Sequence, residues 1–183
     1  MKYLYVGATP EVERDAFQTV RGSMESEFGG PVGQPVRELE LPAVDFAFDA
    51  GRNQYGSVAV LEMLTRLCPA DAWKLLAVTE RDLFIPVLTF VFGHAQLGGR
   101  VAVVSLARLR QEFYGLVANR EALIERAHKE ALHETGHLFG LVHCAERRCA
   151  MSLATNVRQI DSKDDGFCPQ CEARLRKTLG GTV

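Results

Sequence analysis

The sequence lacks both a membrane-length apolar run and an excess of charge of either sign. Its longest apolar stretch, Leu83 to Gly93, is interrupted by Pro86 and is far shorter than the roughly 18 residues that a membrane-spanning helix needs. Lysine and arginine total 21 against 23 for aspartate and glutamate, a formal net charge of −2. We therefore expect no membrane span, and no partnership with nucleic acid that rests on a basic surface.

The start of the chain is also unlike a secretory signal. Lys2 is followed by a short segment, Tyr3 to Thr9, and then at once by Pro10 and Glu11, which is too brief and too soon charged to serve as a signal. We expect a cytoplasmic protein. In that reducing compartment, cysteines are more often free, metal-bound or catalytic than paired as disulfides.

Length and apolar content fit a single globular domain with a sizeable core, since the chain has 183 residues, of which 47% are apolar. Short apolar runs alternate with segments of helical periodicity, which predicts a mixed α/β sheet protein. The predicted strands are Tyr3 to Val6, Val36 to Leu41, Leu75 to Thr79, Leu88 to Phe92 and Val101 to Leu106. The predicted helices are one from Pro10, capped by Thr9, to a stop at Gly29, Gly30 and Pro31; one capped by Ser57; one from Asn119 to Gly140; and one between Pro169 and Gly180.

The helix that begins near Asn119 carries an HExxH motif at residues 133–137. Two histidines four residues apart differ by only ~40° around a helix, so both imidazoles can reach one cation from the same side. Glu134 falls between the histidines and the apolar face centred near Ala127, where a carboxylate is costly to bury without a partner such as a metal-bound water. The same short motif also occurs on surface helices that bind no metal.

Two further residues, Gly140 and His143, extend the motif to HExxHxxGxxH. In a continuous helix, His143 would stand ~240° around from His137 and ~9 Å further along, out of reach of the same ion. Gly140 is the residue best able to take the left-handed conformation that turns the chain back. Three histidines with one open position are typical of a catalytic zinc site.

Four of the five cysteines lie in the last 40 residues, as a CxxxxC pair and a CxxC pair separated by 18 residues. This close-pair, long-gap, close-pair spacing is typical of a structural zinc site. Such a site would anchor a tail that has few apolar residues, and Cys144 directly follows His143, so the two sites would fold together. Two disulfides or four unrelated thiols remain the alternative. Cys68 is expected to be a buried structural thiol.

The combined pattern resembles that of the archaemetzincins, a branch of the metzincin metallopeptidases. HExxHxxGxxH runs directly into CxxxxC, then Met151, then a gap of 16 residues and CxxC; this gap is one residue shorter than in the family's pattern. The resemblance implies a catalytic zinc held by His133, His137 and His143, Glu134 as general base, a structural zinc held by Cys144, Cys149, Cys168 and Cys171, and Gly140 and Met151 in supporting roles, Met151 lying in the Met-turn beneath the active site.

The resemblance also implies an architecture. It is a metzincin-like twisted mixed sheet with an active-site helix and a small zinc-clipped C-terminal subdomain. The domain would span 1–183, with an upper subdomain at 1–140 and the C-terminal subdomain at 141–183. Upstream, Val78 to Gly99 and Ser105 to Gly115 look like the family's central strands and their connections.

Residues outside the two proposed metal sites also carry expectations about substrate binding and hydrogen bonding. Thr89 to Phe92 looks like the edge strand along which a peptide substrate would pair, although an ordinary buried strand is the stronger interpretation for Phe90 and Phe92. Ser152 to Thr155 is expected to help line a specificity pocket, and Leu153 stands where some metzincins have a tyrosine. His94 and His128 are expected to be surface or hydrogen-bonding histidines rather than metal ligands.

The leading hypothesis is a monomeric zinc-dependent peptidase that hydrolyses a peptide or protein substrate by Glu-assisted attack of a zinc-bound water. It could be an aminopeptidase or a narrow endopeptidase. One alternative is a zinc-containing peptide-binding or regulatory module with little proteolysis, against which Glu134 argues. Another is a zinc-clip domain that binds nucleic acid, which the balanced charge disfavours.

Overall fold

The structure, a computed structural model, describes residues 2–29 and 35–180. In chain order its strands and α-helices are β1 Tyr3–Ala8, α1 Arg14–Phe28, β2 Val36–Glu40, β3 Phe48–Asp49, β4 Gln54–Gly56, α2 Ser57–Leu67, β5 Ala72–Thr79, β6 Leu83–Phe84, β7 Gly93–Ala95, β8 Val101–Ser105, α3 Arg120–Leu138, α4 Val157–Asp161 and α5 Pro169–Gly180. Short 3-10 helices lie at Asp45–Ala47, Ala107–Leu109 and Gln111–Tyr114.

The main sheet has five strands in the order β2-β1-β5-β8-β7. Strands β2, β1, β5 and β8 are parallel, and β7 pairs antiparallel with β8 at the edge. A second sheet has the order β3-β4-β6. Helix α1 connects β1 to β2 and α2 lies between β2 and β5, whereas β6 and β7 lie in the long connection from β5 to β8. The predicted mixed α/β fold is confirmed.

Both faces of the main sheet are covered, which explains the nearly continuous apolar strands. On β5, Leu76 and Val78 belong to the core cluster that contains residues of α1 and α3. The alternate residues Leu75 and Ala77 belong to the cluster formed with α2. The two clusters therefore lie on opposite faces of one sheet.

Helix α3 begins and ends where the sequence predicts. The side chain of Asn119 accepts a hydrogen bond from the Ala122 N–H, and Gly140 after the helix has φ of 86°. At its C-terminal end, the carbonyl of His137 accepts from the N–H of Gly98 at 2.8 Å, and the Leu138 carbonyl accepts from a lysine ammonium at 2.6 Å. These contacts join the end of the helix to the sheet.

The predicted start of the first helix is wrong. Helix α1 begins at Arg14, because the Thr9 hydroxyl donates to Glu11 at 2.7 Å and lies 3.4 Å from the Val78 carbonyl instead of capping a helix at Pro10. At the other end, α1 stops at Phe28 before Gly29, as predicted. Gly30 and Pro31, the other two predicted stop residues, lie outside the described residues.

The predicted cap of the second helix is also displaced. Ser57 is the first residue of α2 rather than its cap. Its hydroxyl donates to the Phe84 carbonyl at 3.0 Å, which ties α2 to the small sheet.

The predicted strand from Leu88 to Phe92 is wrong as well. Its first N–H donates to the Ile85 carbonyl at 3.0 Å, so the chain turns there, and the segment makes only an isolated bridge between Val91 and Leu83. The regular strand β7 starts at Gly93, directly after the end of the predicted strand. Among the described helices, none is both long and apolar enough to cross a membrane.

Candidate active site

Helix α3 and the turn after it bring three histidines together. His133 and His137 lie one turn apart on α3, and the left-handed turn at Gly140 returns the chain so that His143 faces them. The ring centroids are 4.6 Å apart for the first pair and 5.3 and 5.0 Å from His143. One nitrogen from each ring lies within 4.8 Å of the others.

Hydrogen bonds to backbone carbonyls orient two of these rings. Nδ1 of His133 lies 2.8 Å from the Ala150 carbonyl oxygen, and Nδ1 of His137 lies 2.7 Å from that of Leu141. Because a carbonyl can only accept, each Nδ1 carries the proton and each Nε2 keeps its lone pair. This is the second contact that metal-binding histidines usually make.

The spacing of the free nitrogens fits a zinc ion. The Nε2 atoms of His133 and His137 are 3.1 Å apart, close to the roughly 3.3 Å expected for two nitrogens bound tetrahedrally to one zinc. Two lone pairs at this distance repel each other unless a cation lies between them. Burial lowers the pKa of His133 well below its usual value and lowers the pKa of His137 and His143, which favours the neutral, metal-binding form.

Glu134 lies on the core side of the histidines, as predicted, and is only 5% exposed. Its carboxylate packs against Gly93, where a Cβ atom would stand 2.5 Å from Oε1. Burial raises the pKa of Glu134 well above its usual value, and the neighbouring carboxylate of Glu130 raises it further. A nearby dication would oppose both effects. A carboxyl group with a raised pKa in a cleft is suited to accepting and returning a proton.

A cleft of about 500 Å³ runs past the histidines and Glu134. One wall comes from the segment before β7 and from β7 itself, and the other from the segment after Met151. Of the predicted pocket residues, Leu153, Ala154 and Thr155 line the cleft. Ser152 does not, because its hydroxyl donates to the Arg147 carbonyl.

The segment Thr89 to Phe92 lines this cleft although it is not a regular strand. Phe92 is buried and Phe90 is half-buried. The cleft therefore includes the residues that the sequence selected for a peptide-binding edge, but the edge strand itself is β7.

Met151 is fully buried. It packs directly against the helix at Gly136, where a Cβ atom would clash with the Met151 sulfur. Gly136 is thus needed for the close approach of helix and turn. The HExxH motif does not specify which residue stands at position 136. A glycine in the middle of a helix was the only sequence signal that could have identified this close contact.

The four C-terminal cysteines also converge, with their sulfur atoms within 4.8 Å of one another. The sulfur atoms of Cys144 and Cys168 are 3.8 Å apart, which equals the roughly 3.8 Å expected around a tetrahedral zinc and is nearly twice a disulfide bond of about 2.05 Å. All five cysteines are free, which argues against the disulfide alternative. Backbone N–H groups of Met151 and Cys168 donate to the Cys149 sulfur at 3.4 and 3.3 Å.

The remaining candidate residues stay outside both groups. His94 contacts the Ser57 hydroxyl through Nδ1 at 2.9 Å, and His128 donates from Nε2 to the Asp165 carbonyl, so the prediction that they are hydrogen-bonding histidines is confirmed. Cys68 is half-buried rather than buried, because it follows α2 at the surface.

One buried ion pair beside the site is not evident from the sequence. Lys163 donates to Glu130 at 3.1 Å and to the Ala150 carbonyl at 3.1 Å. Glu130 is four residues before Glu134, so helical spacing alone places it on the same face. Lys163 lies in a segment without periodicity, where no sequence signal marks it.

Comparison with known proteins identifies the class of protein. The sequence model of Peptidase family M54 matches residues 37–177. The chain belongs to this family, the archaemetzincins, and is a zinc metallopeptidase. The resemblance drawn from the motif is thereby confirmed.

Individual relatives agree over most of their length. The archaemetzincin of Methanocaldococcus jannaschii is 43% identical over 139 residues, which cover 74% of this chain and 75% of that protein. The crystal structure of archaemetzincin from Methanopyrus kandleri matches with a TM-score of 0.84 and 32% identity, covering 98% of this chain and 96% of that one. That of a zinc-dependent peptidase from Methanocorpusculum labreanum matches with a TM-score of 0.81 and 33% identity, covering 94% and 99%.

Proposed function

We propose that the three-histidine group holds a catalytic zinc ion, that Glu134 acts as the general base in peptide-bond hydrolysis, and that the four cysteines hold a second, structural zinc ion. The observation that carries the proposal is the convergence of three imidazoles, two of them fixed through Nδ1, beside a buried carboxylate in one cleft. Gly140 and Met151 support this arrangement from the turn and from below.

Each residue has a distinct task in the reaction. The three neutral imidazoles would hold the zinc ion, which would supply a Lewis acid for lowering the pKa of a bound water and polarising a scissile carbonyl. His133 and His137 would bind the ion through Nε2, because their Nδ1–H groups donate to backbone carbonyls that hold the rings in place. The carboxylate of Glu134 removes a proton from the attacking water and delivers it to the leaving amine. Contact with Gly93 keeps that carboxylate at the edge of the sheet.

The cleft is suited to an extended peptide or protein substrate. Among the described strands, β7 pairs only with β8, and its three residues line the cleft. Its free edge supports backbone pairing with a substrate strand. Leu153, which is 60% exposed, supplies an apolar surface on the opposite wall.

The ion of the four-cysteine group has a structural rather than a catalytic role. Four thiolates close the coordination sphere, so this site has no position for a substrate. It lies in the proposed C-terminal subdomain, 141–183, which follows an upper subdomain at 1–140. We also propose a cytoplasmic, monomeric enzyme; free cysteines support the reducing compartment.

Metal analysis combined with a peptide-library digest tests the proposal. We expect two zinc ions per chain in the wild type, and both should remain in Glu134→Gln, because the substituted side chain is not a ligand. Cleavage should fall by roughly 10²- to 10⁴-fold, the usual contribution of a general base. Glu125→Gln, at an exposed position of the same helix, is the matched control and should cleave like the wild type.

Other results would contradict parts of this assignment. If Glu134→Gln cleaved peptides within twofold of the wild-type rate, Glu134 would not be the general base. A wild type that binds library peptides but cleaves none would favour a peptide-binding module. A single zinc ion per chain would remove one of the two proposed sites.

A further inference from the structure

Lys163 is a lysine whose side chain is fully buried, with 0% exposure. Burying an ammonium group is costly unless charged or strongly polar partners replace water. The structure supplies two such partners, since Nζ lies 3.1 Å from Oε1 of Glu130 and 3.1 Å from the Ala150 carbonyl oxygen. A lysine in an otherwise exposed segment is thus directed into the interior, against helix α3 and the Ala150 carbonyl.

The Ala150 carbonyl is the point at which this ion pair meets the metal centre. The same oxygen accepts the Nδ1–H of His133 at 2.8 Å. A carbonyl oxygen has two lone pairs, so it can accept from both donors at once. Lys163 and His133 therefore share one acceptor, located in the residue before Met151.

The second histidine of the motif has a simpler arrangement. Its Nδ1–H donates to the Leu141 carbonyl at 2.7 Å, and that carbonyl has no further donor among the hydrogen bonds of the described residues. The Leu141 carbonyl lies in the turn that directly ends the helix. The Ala150 carbonyl belongs to an irregular segment. Its orientation is therefore not fixed by a helix or strand, and an additional hydrogen bond can stabilise it.

We propose that Lys163 is a positioning residue for the metal centre: its buried ammonium, balanced by Glu130, holds the Ala150 carbonyl where it orients the His133 ring. This inference rests on the proposed function, because it gives His133 the role of a metal ligand. Lys163 belongs neither to the three-histidine group nor to the residues that line the cleft. It acts through one peptide group, and it also joins the segment after Met151 to helix α3.

Paired substitutions separate this role from simple charge compensation. Lys163→Met leaves Glu130 buried without its partner, so this variant should lose both stability and zinc retention. In the double variant Lys163→Met with Glu130→Met, no charge is left unpaired, and the melting temperature should return to within a few degrees of the wild type. Removing an outer partner of a metal ligand typically costs 10- to 100-fold in metal affinity, and we expect this loss to appear as a 10- to 100-fold faster release of zinc from the histidine site.

The measurement follows zinc transfer to a colorimetric chelator over time. The histidine site is identified as the kinetic phase that is missing in His137→Ala. Lys129→Met is the matched control, because Lys129 is a buried lysine on α3 that pairs with Asp165 at 3.6 Å and does not bond the Ala150 carbonyl. It should release zinc at the wild-type rate.

The outcomes distinguish this inference from the proposed function. A wild type without the histidine-site phase would overturn the proposed function. A wild type with that phase, and a double variant that releases zinc within twofold of the wild-type rate, would overturn the positioning role alone.

A measurement on the wild type keeps the inference testable if the double variant does not fold. The Lys163 ammonium should give a slowly exchanging ¹H–¹⁵N signal with a coupling across the hydrogen bond to the Ala150 carbonyl carbon. A Lys163 ammonium in rapid exchange with solvent would overturn the proposal.

Discussion

The part of the chain before the Gly140 turn and the part after it are stabilised in different ways. The first part contains both sheets and three long helices, and apolar clusters cover both faces of the main sheet. The second, residues 141–180, has only the short α4 and the terminal α5 as regular elements. Its few buried apolar side chains include Met151 and Ile160.

Ion pairs also join the second part to α3. Arg126 binds Asp161 through two hydrogen bonds of 2.6 and 2.9 Å, and the Lys163–Glu130 pair lies further along the helix. Because such pairs give little net stability after desolvation, the four-cysteine site is the strongest candidate for holding the tail. The cleft lies between the two parts, so catalysis depends on both kinds of stabilisation.

The largest effect is expected from Cys171→Ser, which removes a buried thiol of the four-cysteine group. Structural zinc contributes on the order of 10 kcal/mol to folding in small zinc domains. The variant should lose one zinc ion and most of its peptide cleavage. In hydrogen exchange, amides of residues 141–180 should lose protection while those of β1, β5 and β8 keep it.

Cys68→Ser is the control for this prediction, because Cys68 lies outside the four-cysteine group. It should keep both ions and the protection of the tail. A Cys171→Ser protein with a fully protected tail would show that apolar packing alone holds residues 141–180, and the contrast between the two parts would fail.

A smaller effect is expected from Leu76→Ala, in the fully buried middle of β5. The cavity should lower the free energy of unfolding by about 3 kcal/mol, as measured by urea denaturation. The zinc content of the folded protein should not change. Leu67→Ala, at the exposed end of α2, should cost less than about 1 kcal/mol. Loss of zinc from folded Leu76→Ala would show that the sheet and the metal sites are not independent.

The smallest effect concerns the contact between the two parts at Gly136. Alanine is the better helix former by up to about 1 kcal/mol, but its Cβ would clash with Met151. We expect Gly136→Ala to lower the free energy of unfolding by about 1–3 kcal/mol. Gly22→Ala on α1, where nothing lies within 4 Å of the added atom, should instead raise the melting temperature. A stabilised Gly136→Ala would mean that Met151 can move away at no cost.

The convergence of the three histidines and of the four cysteines could be predicted from sequence because their geometry is encoded locally. Spacing on one helix, a single left-handed glycine and two close cysteine pairs are enough to suggest which side chains meet. The small sheet could not be predicted, because its strands have two or three residues and show no periodicity. Strand β7 is equally short. Contacts between distant segments, such as that of Lys163 with Glu130, have no local signature at all.

A single peptide bond joins His143 to Cys144, and therefore joins the two proposed ligand sets. Ions bound on either side of one bond cannot be acquired independently: whichever arrives first restricts the backbone that the other requires. Thermodynamic reciprocity then makes the assistance mutual. On this assignment, each bound zinc ion raises the affinity of the chain for the other.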